Sequence, residues 1–311
     1  MSEDLNALHL QRVVAQYTEQ GGDFFYRCVM GDGGGDIHYG IYQDTSDTMQ
    51  QATQRSSRRL LEIAIKKRHA SCLAKDSART TAFSKTAGGE IRSAKLLTDE
   101  ILELGSGTGS TARWLARQTD CRVTCVDLCQ QHSLFNAQQI AAEGLGDRVA
   151  VHTGMFERLP NSWSGRFDWV WSQEAICHAR IKRDVYNEAK RVLKPSGIFV
   201  CSDILYSDQC PADALAAFTN VNAVIRLESR KTVEWELSHA GFIEVEYEDW
   251  SDQLPENFRR MLEQIEKHRR ELISTGVSED LIERFAEALR LRLTWAPGEV
   301  LCWGAFVCRV A

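Results

Sequence analysis

The segment Glu103-Leu104-Gly105-Ser106-Gly107-Thr108-Gly109 places glycine at every second position directly after the apolar run Ile101-Leu102-Glu103-Leu104. Glycines there let the main chain approach a ligand closely, and the helix expected next offers free amide hydrogens at its first turn. A dinucleotide-binding loop has the spacing G-x-G-x-x-G, but position 110 is Ser110. The spacing G-x-G-x-G suits a ligand with an amino-acid tail and no phosphate. Asp127 lies 22 positions after Gly105, at the end of the run Arg122-Val123-Thr124-Cys125-Val126. A carboxylate at such a strand end accepts hydrogen bonds from both hydroxyls of a ribose. The plainer role for Asp127 is to cap the helix that follows. His178 comes after a further strand-like run, and an ordinary pKa of about 6.5 suits it to act as a base near neutrality. Tyr26 stands in the aromatic cluster Phe24-Phe25-Tyr26, just before a glycine-rich loop that contains His38.

These residues need a scaffold that brings strand ends to one edge. Short apolar runs at 101–104, 122–127, 149–152, 167–171 and 198–202 alternate with amphipathic stretches at 110–118, 129–142 and 182–193. That alternation predicts a parallel sheet with helices on both faces, whose ligands bind beyond the carboxyl ends of the strands. Residues 1–70 read as helical, interrupted by the cluster Gly31 to Gly40. Residues 69–94 show no period and read as a mobile insertion. After residue 205 come helices at roughly 211–225, 230–239, 256–274 and 279–293, with strands at 243–247 and 301–308.

Composition narrows the function classes. Apolar residues make up 43% and charged residues 26%, with only 5 prolines, as in a folded globular chain. The net charge of −6 argues against nucleic-acid binding, which needs a basic face. No run approaches the roughly 18 apolar residues of a membrane span. The ten cysteines, without a Cys-x-x-Cys pair, point to a reduced cytoplasmic protein rather than a disulfide framework. Cys121, Cys125 and Cys129 stand four apart, but Cys125 falls in a strand, where that spacing makes no metal-binding face. No metal site is expected.

The glycine loop, Asp127, the strand motif Phe167-Asp168-Trp169-Val170-Trp171-Ser172, the turn Leu193-Lys194-Pro195-Ser196-Gly197 and the late segment Glu236 to Phe242 together resemble the class I S-adenosylmethionine-dependent methyltransferases. Three further segments resemble the sarcosine/dimethylglycine and phosphoethanolamine N-methyltransferases. They are Ser172-Gln173-Glu174-Ala175-Ile176-Cys177-His178, the lid segments Tyr26 to Gly31 and Asp36 to Tyr42, and the tail Gly298 to Phe306. Glu174 replaces the family's usual aspartate, and Met155 stands where many members carry an acid for the adenine amine.

The resemblance implies a doubly wound, mostly parallel seven-stranded α/β sheet. It implies a lid and insertion over residues 1–95 and a methyltransferase domain over 96–311, with helical insertions at about 205–240 and 255–295. S-adenosyl-L-methionine is the implied cofactor, held by Glu103, Gly105, Ser106, Gly107, Asp127, Leu128, Met155, Phe156 and Gln173. His178 and Tyr26 are the implied catalytic pair. His38, Tyr39 and Tyr42 belong to the lid, and Arg226 or Arg230 would hold an acceptor's carboxylate. The expected acceptor is a small amine of the glycine–sarcosine–dimethylglycine or ethanolamine type. Methylation of oxygen, sulfur or carbon in a secondary metabolite or isoprenoid is the competing enzyme reading, and a catalytically silent cofactor-binding protein is the reading from another class. A monomer or homodimer is expected.

Overall fold

A computed structural model of the chain describes residues 2–18, 21–73, 99–211, 214–219 and 222–311. Three helices come first, α1 (Ser2–Thr18), α2 (Gly22–Gly31) and α3 (Met49–Leu73). Strands and helices then alternate: β1 (Glu100–Leu104), α4 (Ser110–Gln118), β2 (Arg122–Asp127), α5 (Gln130–Ala142), β3 (Val149–Thr153), β4 (Phe167–Gln173), α6 (Lys182–Val192) and β5 (Leu193–Tyr206). The last part holds α7 (Ala214–Thr219), α8 (Arg230–His239), β6 (Phe242–Asp249), α9 (Leu254–Ser274), α10 (Glu279–Arg292) and β7 (Leu301–Val310). The seven strands form one sheet in the order β3-β2-β1-β4-β5-β7-β6, parallel through β5, with β7 antiparallel to both β5 and β6. The expected doubly wound sheet is therefore the observed one.

The strand runs read as continuously apolar because both faces of the sheet are covered. Ile101, Val123, Cys125, Trp169, Trp171, Ile198 and Val200 pack on one face with residues of α2, α3, α9 and α10. Leu102, Leu104, Val126, Val170, Phe199 and Cys201 point the other way, into a core shared with α6 and α8. The chain winds outward from β1 through β2 to β3, then returns to the other side of β1 at β4. That reversal opens a crevice beyond the ends of β1, β2 and β4, where ligands of open α/β sheets bind. Among the described residues no helix is long and apolar enough to cross a membrane.

Some boundaries differ from the sequence reading. β5 runs four residues beyond 202, because β7 pairs with it from Ile198–Arg309 through to Tyr206–Leu301. Long-range pairing of this kind leaves no local signal. The helix expected over 211–225 is described only as Ala214–Thr219, and Ala223 takes φ +45°, which an α-helix does not continue through. α3 reaches Leu73, and the remainder of the expected insertion lies outside the described residues.

Gly109, at the start of α4, has φ +74°, and a Cβ there would lie 2.0 Å from the Asn136 side chain. Asn136 is held in place by Arg113, whose Nη1 donates to Asn136 Oδ1 at 2.9 Å. Gly109→Ala is expected to destabilise the protein by about 2–5 kcal/mol, from left-handed strain and overpacking combined. Urea unfolding would show it, and an unchanged midpoint would mean that the loop relaxes freely.

Candidate active site

Each wall of the crevice is set by a different element. The glycine loop turns back on β2, with the amides of Gly105 and Ser106 both donating to Val126 O, at 2.8 and 3.1 Å. Gly105 has φ +70°, and a Cβ there would stand 2.2 Å from the Ala175 Cβ, so only glycine fits between the two strand ends. Asp127 closes β2, and its carboxylate accepts from Gly107 N at 2.7 Å and from Cys129 N at 2.8 Å. The two bonds fix both carboxylate oxygens and tie the loop to the start of α5. Asp127 thus braces the residue that starts α5, as its plainer role required, and also lines the cavity.

Gly105, Gly107, Asp127, Leu128, Met155, Phe156 and Gln173 all line the cavity, whose volume is about 110 Å³. Glu103 and Ser106 do not line it. Glu103 is buried beneath the loop, facing the Cys125 thiol at 3.8 Å, and burial pushes its carboxyl up to about 8. Gln173 accepts from Trp171 Nε1 and Ser57 Oγ, both at 3.1 Å, which leaves its buried Nε2 with no partner. Glu174 follows with φ +45°, a strained conformation for a residue with a side chain. Its Oε1 accepts from Trp303 Nε1 at 2.6 Å, and its Oε2 is buried and unpaired. A donor and an acceptor are therefore left open at the end of β4, inside the cavity wall.

The opposite wall is α1. Leu10, Val13, Val14 and Tyr17 recur at helical spacing and line the cavity with His178 and His132. Tyr17 Oη lies 3.0 Å from His178 Nε2. His9 Nε2 meets the His178 carbonyl at 2.7 Å and holds the backbone there. The tyrosine that meets His178 is thus Tyr17, not the expected Tyr26. Tyr26 is nine residues further on, in α2, and packs edge-on against Phe25 and Phe285, with its ring 4.9 Å from that of Tyr17. Its place is the second layer, because α2 is pinned against α9 and α10 rather than lying over the cavity.

The lid residues also sit one layer back. His38 and Tyr39 are buried, and neither lines the cavity, although their neighbour Ile37 does. His38 is linked to the cavity wall through Ser57, whose hydroxyl lies 3.4 Å from His38 Nε2 and donates to Gln173. Tyr39 packs against Phe258 and Trp303. Tyr42 faces Arg260, and Asn257 exchanges two hydrogen bonds of 2.8 Å with the Gly40 backbone. Arg226 does not serve the site. Its side chain is 70% exposed and paired with Glu228 at 2.6 Å. Arg230 likewise pairs with Glu234 at the surface.

Charge in the site is arranged through three histidines. Burial alone would lower the His132 pKa, but Asp127 and Asp23 on either side push it up to about 10. Burial is likewise outweighed at His38, where Asp36 pushes the imidazole up to about 9. At His178 burial wins, and its pKa falls to about 4, so it is neutral at pH 7. An unfolded histidine titrates near 6.5. The stability contributed by His132 and His38 is therefore full below about pH 6.5 and is lost as pH rises through about 9 to 10. His178 contributes stability above about pH 6.5 that is lost as pH falls through about 4. Melting temperature is expected to fall on the alkaline side in steps that His38→Gln and His132→Gln each flatten. An alkaline limb that both variants share unchanged with the wild type would disprove the two pairings.

The cradle fits the ligand that the loop spacing suggested. The residues match one with an adenine, a ribose and a charged amino-acid tail: apolar Leu128, Met155 and Phe156, then Asp127, then the unpaired amide of Gln173. Residues 102–201 match the family model for a methyltransferase domain. The chain is 31% identical over 302 residues to the glycine/sarcosine/dimethylglycine N-methyltransferase of Actinopolyspora halophila, covering 96% of this chain and 47% of that protein. It is 28% identical to the sarcosine/dimethylglycine N-methyltransferase of Halorhodospira halochloris, covering 94% of each. The chain belongs to the S-adenosylmethionine-dependent methyltransferases. Its fold superposes on a Galdieria sulphuraria protein assigned as a sarcosine dimethylglycine methyltransferase, with a TM-score of 0.78 at 22% identity, over 94% of this chain and 98% of that one. A phosphoethanolamine N-methyltransferase of Haemonchus contortus superposes with a TM-score of 0.70 at 17% identity, over 97% of this chain and 59% of that one.

In this methyltransferase the sequence reading missed Tyr17 and His132. The period of Leu10, Val13, Val14 and Tyr17 marks an apolar face on α1 that could have been read. Nothing local says that this face meets His178.

Proposed function

We propose that the protein transfers a methyl group from S-adenosylmethionine to the nitrogen of a small amine. The observation that carries this is the Tyr17–His178 pair, which lines one cavity together with Asp127 and with Glu174, whose Oε2 is buried without a partner. The cofactor supplies an electrophilic methyl group. The chain supplies orientation and a route for the proton. Burial keeps the Tyr17 hydroxyl protonated and His178 neutral. Tyr17 Oη can take the amine's proton while passing its own to His178 Nε2, which leaves the nitrogen lone pair free to attack. The Glu174 Oε2 can hold an ammonium or a developing positive charge, and the wall formed by α1 excludes water. A small-molecule acceptor fits the net charge of −6 better than a nucleic acid does. This reading places a monomer or homodimer in the cytoplasm.

The test is methyl transfer from labelled S-adenosylmethionine to a panel of amines, thiols, phenols and isoprenoids. Transfer confined to the amines is expected, and transfer only to a thiol, phenol or isoprenoid would overturn the reading. The pH profile provides a second check. Because His178 stays neutral down to about pH 4, it can receive the proton throughout the range from pH 6 to 9, and kcat/KM is expected to show no break near 6.5. A break near 6.5 would instead mark an ordinary, exposed imidazole.

A further inference from the structure

Asp127, Cys129 and His132 bring a carboxylate oxygen, a thiol sulfur and an imidazole nitrogen within 4.8 Å of one another, and all three residues line the cavity. The turn from β2 into α5 makes this group. Asp127 ends the strand, Cys129 precedes the first residue of the helix, and His132 follows three positions later, near Cys129 on the helix surface. The sequence reading weighed Cys129 only with Cys121 and Cys125 and so expected no metal. The residues that converge are instead Asp-x-Cys-x-x-His.

The donors are buried and braced. Cys129 is 3% exposed and His132 is 6% exposed. The two Asp127 oxygens accept from Gly107 N and Cys129 N, which leaves each a further lone pair. Asp127 Oδ1 lies 3.8 Å from His132 Nδ1. On the far side of the ring, His132 Nε2 is buried without a hydrogen bond and faces Asp23 Oδ1 at 3.6 Å. A metal-bound histidine commonly turns its other nitrogen to a carboxylate, which fixes the ring and strengthens it as a donor. Asp23 stands where that carboxylate would be, and Tyr17 packs edge-on against the same imidazole.

We propose that Asp127, Cys129 and His132 form a binding site for a divalent ion of the zinc class, and that this ion and S-adenosylmethionine exclude one another, so that bound zinc stops methyl transfer. Sulfur, nitrogen and oxygen donors together suit zinc, whereas magnesium and calcium take oxygen alone. Tetrahedral bonds of about 2.0–2.3 Å set the donors roughly 3.5 Å apart, so the side chains need close by only about 1 Å. Binding releases the thiol proton and the Nδ1 proton to solvent, and keeps the Nε2 proton toward Asp23. A water completes the fourth position. The exclusion rests on Asp127 as the ribose acceptor, and the metal site itself does not.

The experiment titrates the metal-free protein with Co²⁺ and follows the thiolate-to-cobalt absorption band, which needs no turnover. One Co²⁺ per chain should produce the band, and Zn²⁺ should displace it. Cys129→Ser should abolish the band. Asp23→Asn leaves all three donors in place and should weaken Co²⁺ binding by about 10–100-fold, the usual worth of a carboxylate behind a ligating histidine, and His132→Asn should weaken it by more. Saturating S-adenosylmethionine should bleach the band in the wild type, a reading that needs no variant to fold. Calorimetry should show S-adenosylmethionine affinity falling at least about tenfold when zinc is saturating, and no such fall in Cys129→Ser. Absence of the band in the wild type, or a band that Cys129→Ser retains, would overturn the site. A band that survives saturating S-adenosylmethionine would overturn the exclusion. None of these readings uses an amine, so failure of the amine reading would show only in the methyl-transfer panel.

Discussion

Tyr17→Phe is expected to lower turnover by about 10²–10⁴-fold, the usual worth of a positioned acid–base group. The substitution deletes one hydroxyl and keeps the ring that packs against Tyr26, His132 and His178. Stability should therefore change little, and cofactor affinity should survive, since the glycine loop and Asp127 are untouched. His178→Ala should cost a similar factor, because it removes the group that receives the Tyr17 proton at 3.0 Å. The double variant should be little worse than either single one, since residues that act as a unit are non-additive. Tyr26→Phe should cost much less, and in KM rather than kcat, because the Tyr26 ring lies behind Tyr17 and makes no contact with His178. Single-turnover rates on all four proteins decide the matter. Losses that multiply in the double variant, or a larger loss in Tyr26→Phe than in Tyr17→Phe, would return the catalytic role to Tyr26.

Asp127→Ala is expected to weaken S-adenosylmethionine binding by roughly tenfold or more, from loss of about 1.5–3 kcal/mol of charge-assisted hydrogen bonding. Two effects contribute. The ribose loses its acceptor, and the Gly107 and Cys129 amides lose the carboxylate that orders the loop. Asp127→Asn tells them apart. An amide keeps one acceptor for the loop but meets the second amide hydrogen with its own NH₂, so it should fall between the wild type and Ala. His132, deprived of one of its two carboxylates, should also lose part of its raised pKa, which NMR titration of the imidazole would follow. Unchanged affinity in a folded Asp127→Ala protein would remove Asp127 from the ribose site.

The fold was legible in the sequence because its signals are local. Alternating apolar runs and amphipathic stretches report strands covered on both faces by helices. Gly105, Gly107 and Asp127 were legible for the same reason. Their places in the cavity wall depend on sitting at the ends of consecutive strands, and strand spacing is written in the chain.

What stayed hidden depends on contacts between residues far apart in the sequence. Tyr17 and Tyr26 both precede the glycine cluster and both lie near aromatic or apolar neighbours, so chain position cannot rank them. Which one reaches His178, 161 residues beyond Tyr17, follows from how α1 and α2 pack on the sheet. The arginines show this in sharper form. Arg226, Arg230 and Arg292 are alike as residues, yet the first two have carboxylate partners at the surface while Arg292 is buried among rings without one. A side chain's type sets what it can bind. Only tertiary packing decides whether it meets a partner at the surface or is buried without one, because burial and pairing are properties of the assembled core.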